Sequence, residues 1–245
     1  GDFATIVDAM TFLQGLTGGD APAEGNAYIV QVGPGVYDGQ VTMVPYVTIR
    51  GAGGTCATTI TYTGGAATAP TAAAVITADQ AFLESVCIEA TNPTATVIGG
   101  IYVPAGGGGS SVTQIYDVSI AVDGTGATDA YGVIAGTGSQ LDLGLSQVNV
   151  AGATNVNNGV TASSGVRASV MATEIAAGDI ALGLLGGLPQ TAKGNQIDGD
   201  VALIGAEPRL INNLITGTVS DGDAGTTNCQ GNYDSALADT PPGGC

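Results

Sequence analysis

The sequence predicts an all-β chain wound as a parallel β-helix, a solenoid of stacked coils, with a short helix over its first coil. Three observations carry this expectation. The first is a recurrent triplet of an apolar residue, any residue, and a second apolar residue: Val47-Thr48-Ile49, Val86-Cys87-Ile88, Val118-Ser119-Ile120 and Val148-Asn149-Val150. It continues more loosely as Ile175-Ala176-Ala177, Ile197-Asp198-Gly199 and Leu214-Ile215-Thr216. Such alternation sends the outer two side chains to one face of a strand and the middle one to the other. The second is the spacing of these triplets, which shortens at every step from Val47 to Leu214 and is too irregular for a helical-repeat array. Coils of a solenoid tolerate it, because turns vary in length while the strand stays in register. The third is composition: 41 Gly and only 4% aromatic residues favour tight turns and short strands over a helical bundle.

The elements follow in order. Phe3, Ile6, Val7, Met10, Leu13 and Leu16 have helical spacing, with Asp2 as the expected N-cap and Gly15 or Gly18 as the stop. A helix here would cover the open end of the first coil, where apolar side chains and an unpaired strand edge are otherwise bare. Tyr28 to Val32 reads as a strand, Gly33-Pro34-Gly35 as a turn, and Val41-Thr42-Met43 leads into the first triplet. The triplet residues Val47, Val86, Val118, Val148, Ile175, Ile197 and Leu214 are expected to form one buried column, each coil adding a layer about 4.8 Å thick. From position 118 onward a polar residue precedes each triplet: Asp117, Gln147, Glu174, Gln196 and Asn213. No linker interrupts the pattern, so the organisation reads as one domain: a cap over 1–18, coils over 19–218 and a tail over 219–245.

Charge bounds the partners. Four Lys and Arg stand against 21 Asp and Glu, a net charge of −17 with no His. Arg50, Arg167, Lys193 and Arg209 are scattered in sequence, so nucleic acid and anionic lipid are not expected partners. No long apolar run offers a membrane span. Four cysteines suit an oxidising compartment, and the expected location is secreted or cell-surface. The chain begins at Gly1 without an apolar leader, so an exported form would already have lost one. Cys229 and Cys245 bracket a Gly/Pro-rich tail with little core of its own, and a bridge between them would staple it. Cys56 is then left for Cys87, which as a middle triplet residue should point outward.

The segments GDFATIVDAM, VQVGPGVYDGQVTM and VTIRGAG, in that order, resemble the opening of the pectin-lyase-like right-handed parallel β-helices. The likeness runs from Gly1 to the neighbourhood of Thr55. It implies a right-handed winding and membership of a superfamily that holds lyases, esterases and glycosidases beside phage-tail and bacterial surface proteins. The enzymes' own motifs are not found: there is no His for a GHG segment and no LGRPW-like or RIK segment. Without His, no Ser-His-Asp or Cys-His arrangement can form.

Candidate chemistry is therefore sparse. Asp117 and Glu174 precede triplets two coils apart, which would set their carboxyls about 9.6 Å from each other. That is close to the separation of about 6.5–9.5 Å used by inverting glycosidases. The alternative is an outward polar column in which acids and amides bond between coils. Asp198-Gly199-Asp200 and Asp221-Gly222-Asp223 are the best acidic patterns for a structural Ca²⁺, but each supplies too few oxygens alone and Asp-Gly is ordinary turn chemistry. No other cofactor is indicated. With no Trp, any sugar platform would fall to tyrosines such as Tyr46 and Tyr116. The expected role is a non-catalytic structural or adhesive subunit of an extracellular appendage, filament, surface layer or fibre. It would associate with itself or with other surface proteins, through apolar or hydrogen-bonded contacts that strengthen as salt screens the net charge. The other reading is a carbohydrate-active enzyme or binding module acting on a polysaccharide.

Overall fold

The computed structural model describes residues 2–54, 56–64, 72–92, 96–106, 111–186, 188–204, 208–222 and 228–234. The chain is mostly β, with one α-helix among the described residues and parallel strands stacked into a solenoid-like fold compatible with a β-helix. The strands recur in a fixed order on three faces, and every pairing between coils is parallel. The first face stacks Tyr28–Val32, Val47–Gly51, Ala81–Glu84, Ser111–Tyr116, Ser139–Gly144, Arg167–Met171, Gln190–Lys193, Pro208–Ile211 and Asn228–Gln230. The second stacks Gly35–Asp38, Thr58–Tyr62, Cys87–Thr91, Ser119–Asp123 and Gln147–Ala151, continuing into Glu174–Leu185, Gln196–Ile204, Leu214–Ile215 and Tyr233–Asp234. The third runs from Val41–Thr42 through Ala73–Ile76, Val97–Val103, Asp129–Ala135 and Val156–Ala162. It then shares the two long strands Glu174–Leu185 and Gln196–Ile204, which span the second and third faces in one piece, and ends at Val219–Asp221.

Register identifies the core columns. On the second face the column is Ile60, Ile88, Ile120, Val148, Ile175, Ile197 and Ile215, all buried. Val133, Val160, Leu182 and Val201 continue a second column on the third face, and Ile49, Leu83, Ile115, Leu143 and Val170 a third on the first. Each fully buried Val, Leu or Ile side chain contributes about 1.5–3 kcal/mol relative to exposure. Small residues make room where columns meet: a Cβ on Gly132 would lie 2.3 Å from Val148 Cγ1, and one on Gly100 2.4 Å from Ile120 Cγ2. These glycines stand there for close approach, not for turning.

This register corrects the expected column. Val148, Ile175 and Ile197 belong to it, but Val86 and Val118 do not. They sit two residues earlier, buried at the corner between the first and second faces. Val47 lies on the first face, paired with Tyr28. Leu214 pairs with Gln196 and is only partly buried, leaving Ile215 in the core position.

The corner itself is a two-residue device. A residue at positive φ ends the turn out of the first face: Ser85, Asp117, Leu145, Ala172, Gly194, Asn212 and Gly231, at φ values from 49° to 66°. The next residue points inward and starts the second face: Val86, Val118, Ser146, Thr173, Asn195, Asn213 and Asn232, all buried. Four of the seven positive-φ residues are neither Gly nor Asn, although the left-handed region is unfavourable for side chains. Neighbouring coils hold them there: the backbone N–H groups of Ser85, Asp117, Leu145 and Ala172 donate to the carbonyls of Tyr116, Gly144, Met171 and Lys193 in the coils that follow.

The N-terminal helix is Ile6–Gln14, shorter than its apolar periodicity. Thr5, not Asp2, is the N-cap: its extended backbone lets Oγ1 accept from Asp8 N at 3.0 Å. Gly15 closes the other end as expected. Ile6, Met10 and Leu13 are buried in one cluster with Val32, Val41 and Met43 of the first coil, so the helix covers the end of the core. Phe3 and Phe12 instead pack on each other at 5.2 Å and stay largely exposed. Strand pairing continues to Tyr233–Asp234, inside the segment read as a tail.

Candidate functional site

Cys56 and Cys87 form a disulfide with Cα atoms 4.7 Å apart, closing a separation of 31 residues. Cys87 is in register with Thr59 and Ser119, the outward-facing column of the second face, and is nonetheless buried. The bridge therefore lies on the outer surface of the sheet, tying its second coil to its third. The pairing Cys229–Cys245 lies outside the described residues.

The candidate carboxylates Asp117 and Glu174 do not occupy equivalent positions. Asp117 is a positive-φ corner residue, whose equivalents in the next two coils are Leu145 and Ala172. Glu174 is the first residue of a second-face strand, in register with Gln147 and Gln196. The residue preceding a triplet is thus a corner residue at 117 and a strand residue at 174, so the two carboxylates are not in one column. Each is engaged by its neighbour in the stack. Ser85 Oγ donates to Asp117 Oδ2 at 2.9 Å, and Gln147 Nε2 donates to Glu174 Oε2 at 3.1 Å. Both are bonds between coils, made in two separate columns.

Asp198 and Asp200 share the strand Gln196–Ile204 but serve separate bonds. Asp198 Oδ1 accepts from Thr216 Oγ1 at 2.6 Å. Asp200 Oδ1 accepts from the Thr218 backbone N–H at 2.8 Å and from its hydroxyl at 2.9 Å, which holds the carboxyl below its ordinary value. Both tie one coil to the next. The Asp221 side chain and Asp223 lie outside the described residues. Among the described residues no group of three or more His, Cys, Asp or Glu could hold a metal ion.

Sequence reasoning missed two arrangements. The first is a buried amide ladder at the corner, Asn195, Asn213 and Asn232. Asn195 Nδ2 donates to Asn213 Oδ1 at 2.9 Å and to Val170 O at 3.0 Å. Asn213 Nδ2 repeats this with Asn232 Oδ1 at 3.0 Å and Ala192 O at 3.1 Å. Each Oδ1 also accepts from the backbone N–H of the coil before it. The signal was present as Gly194-Asn195-Gln196-Ile197, Asn212-Asn213-Leu214-Ile215 and Gly231-Asn232-Tyr233-Asp234.

The second is a segregation of charge. The four cations, scattered in sequence, all lie on the first face, in the strands Val47–Gly51, Arg167–Met171, Gln190–Lys193 and Pro208–Ile211. Arg50 pairs with Glu84 on the adjacent strand. Arg167, Lys193 and Arg209 are exposed and form no ion pair with any described residue. The second face carries the exposed acids Glu89, Asp123, Glu174 and Asp198 and none of the cations. Also on the first face, Phe82 and Tyr116 stack at 5.8 Å, next to the Arg50–Glu84 pair. A groove of about 430 Å³ separates the cap helix from the first coil, lined by Phe3, Phe12, Tyr28, Ile29 and Tyr37 among others.

Comparison with protein-family models and with curated proteins returned no match. Among the described residues, no helix is long and apolar enough to cross a membrane.

Proposed function

We propose that this protein is a right-handed parallel β-helix of the pectin-lyase-like kind serving a non-catalytic role, as a structural or adhesive subunit outside the cell. The observation that carries the reading is the use made of its polar groups. Asp117, Glu174, Asp198 and Asp200, the side chains with the best chemical prospects, each bond a neighbouring coil of the same stack. A rod tied in this way along its length suits load-bearing or display better than turnover. The disulfide fits an oxidising, extracellular setting. Self-association is part of the proposal, because long flat faces and strand edges offer a second copy a large contact.

Light scattering coupled to size-exclusion chromatography tests this directly. The expected result is concentration-dependent association and no release of reducing ends or unsaturated products from pectin, polygalacturonate or common bacterial glycans. Turnover that disappears in Asp117→Asn or Glu174→Gln would overturn the non-catalytic role.

One observation favours the second reading, a carbohydrate-binding module. The Phe82–Tyr116 stack on the first face offers an aromatic surface of the sort that sugar rings lie against. Binding to a glycan array that is lost in Phe82→Ala and Tyr116→Ala would select it.

A further inference from the structure

We infer that the cationic part of the first face docks against the acidic second face of another copy of this chain. This rests on the self-association proposed above and names the surface that carries it. In a chain of net charge −17, random placement would leave each cation among several carboxylates. Instead the three cations that lack an ion pair among the described residues share one face, whose strands carry only Glu84 and Asp142 as acids, and the second face offers only carboxylates as charged partners.

The registers make the two faces complementary in detail. Glu174 is paired with Gln196, so Asp198 lies one strand up and two residues further along. Arg209 is paired with Thr191, so it lies one strand up from Lys193 and two residues back. Both pairs are therefore offset by about 4.8 Å across strands and about 6.6 Å along them, on opposite diagonals. Two surfaces that face each other need this relation, since turning one to meet the other reverses its strand direction. With axes parallel, Lys193 meets Glu174 and Arg209 meets Asp198. Arg167 is four residues before the partner of Lys193 on the adjoining strand, which brings it within one strand of Asp123. With axes antiparallel the same two ion pairs form, with their acids exchanged. Parallel axes bring Arg167 towards Asp123 but also set the first-face Asp142 within one strand of Glu89, so the two central pairs define the contact and either axis direction serves them.

The contact joins two different faces, so it is head-to-tail and leaves each copy a free face for a further one.

Two variants of the full chain test the inference. One carries Arg167→Glu, Lys193→Glu and Arg209→Glu; the other carries Glu174→Lys, Asp198→Lys and Asp123→Lys. All six positions are outward-facing, and circular dichroism verifies the fold of each. Sedimentation at about 0.1 M salt, where the Debye length is about 10 Å, should show self-association of the native protein. Each variant alone should associate about tenfold more weakly or worse, since its two faces then carry like charge. An equimolar mixture should recover association, because the two variants alternate with opposite charges at every contact. At about 1 M salt, where the Debye length is about 3 Å, the native assembly should dissociate, the reverse of the salt response expected from the sequence for apolar or hydrogen-bonded contacts. A native protein that is monomeric throughout overturns the self-association reading as a whole. A native assembly that survives both variants, or persists at about 1 M salt, leaves that reading standing and overturns this contact. Failure of the mixture to recover association, with both variants folded, overturns the pairing of faces.

Discussion

The corner between the first and second faces is built from different side chains at the two ends of this protein. In the third and fourth coils the inward residue is Val86 or Val118, and the corner is sealed by apolar burial. In the last three it is Asn195, Asn213 and Asn232, and the corner is sealed by amides that bond the backbone of the coil before. Ser146 and Thr173 stand between the two solutions, with hydroxyls that donate to the nearby Gly144 and Met171 carbonyls. The dihedral geometry is common to all of them, while the distance between equivalent corner residues falls from 32 residues to 18 or 19. The long coils have side chains and a disulfide to spare for stability. The short coils have less apolar surface and rely on directional bonds, which are strong where water is excluded but costly if half made.

The largest effect is expected where the amide solution is broken. Asn213→Leu leaves the buried Asn195 N–H without its partner and removes one bond each from Asn195 Nδ2, Ala192 C=O and Asn232 Oδ1; at about 1–3 kcal/mol for the unpaired group and about 0.5–1.5 kcal/mol for each lost bond, a loss of about 2.5–7.5 kcal/mol follows. Denaturant titration measures the loss. Hydrogen exchange should place it in residues 190–234, while the coils before Val118 keep their protection.

Removing the disulfide tests the other end. The Cys56→Ser/Cys87→Ser variant should lose about 3–4 kcal/mol by the chain-entropy model for a loop of this length. Exchange should rise in the strands Val47–Gly51, Thr58–Tyr62 and Cys87–Thr91 and leave the amide ladder unchanged. Uniform loss of protection in either variant would mean that the two ends melt as one unit.

The smallest effect belongs to Asp200. The Thr218 backbone N–H and hydroxyl hold its carboxyl below the ordinary 3.8, so the bonds contribute stability above that pH and lose it as pH falls through the lowered folded value. Asp200→Asn should flatten this acid dependence in the last coils. Exchange of the Thr218 amide between about pH 5 and about pH 3 reads it, with the native protein losing protection and the variant changing little.

Much of the fold was legible because apolar alternation survives any change of coil length. The same alternation explains the misplaced column. A slip of one residue would turn every core side chain outward, but a slip of two keeps the inward face and leaves no trace in a pattern of period two. Val86 and Ile88 are both buried, so the triplet could not show which one carries the column. The candidate acids failed for a related reason. The residue before Val118 is a corner and the residue before Ile175 is a strand, a difference that lives in φ and not in polarity. Arg167, Lys193 and Arg209 looked scattered because their separations along the chain mean nothing until the coil lengths are known.

The shortening of the coils has a practical consequence. If coils of such different length can close the same turn of the core, the circumference is free and only the corners and columns are constrained. The excess length sits in exposed connections such as Thr125-Gly126 and Thr154-Asn155, between the second and third faces. Doubling the length of such a connection costs only about 0.6 kcal/mol in closure entropy. A foreign peptide spliced there would ride outside the stack like a label on a spool, repeated at a fixed pitch wherever copies of the chain assemble.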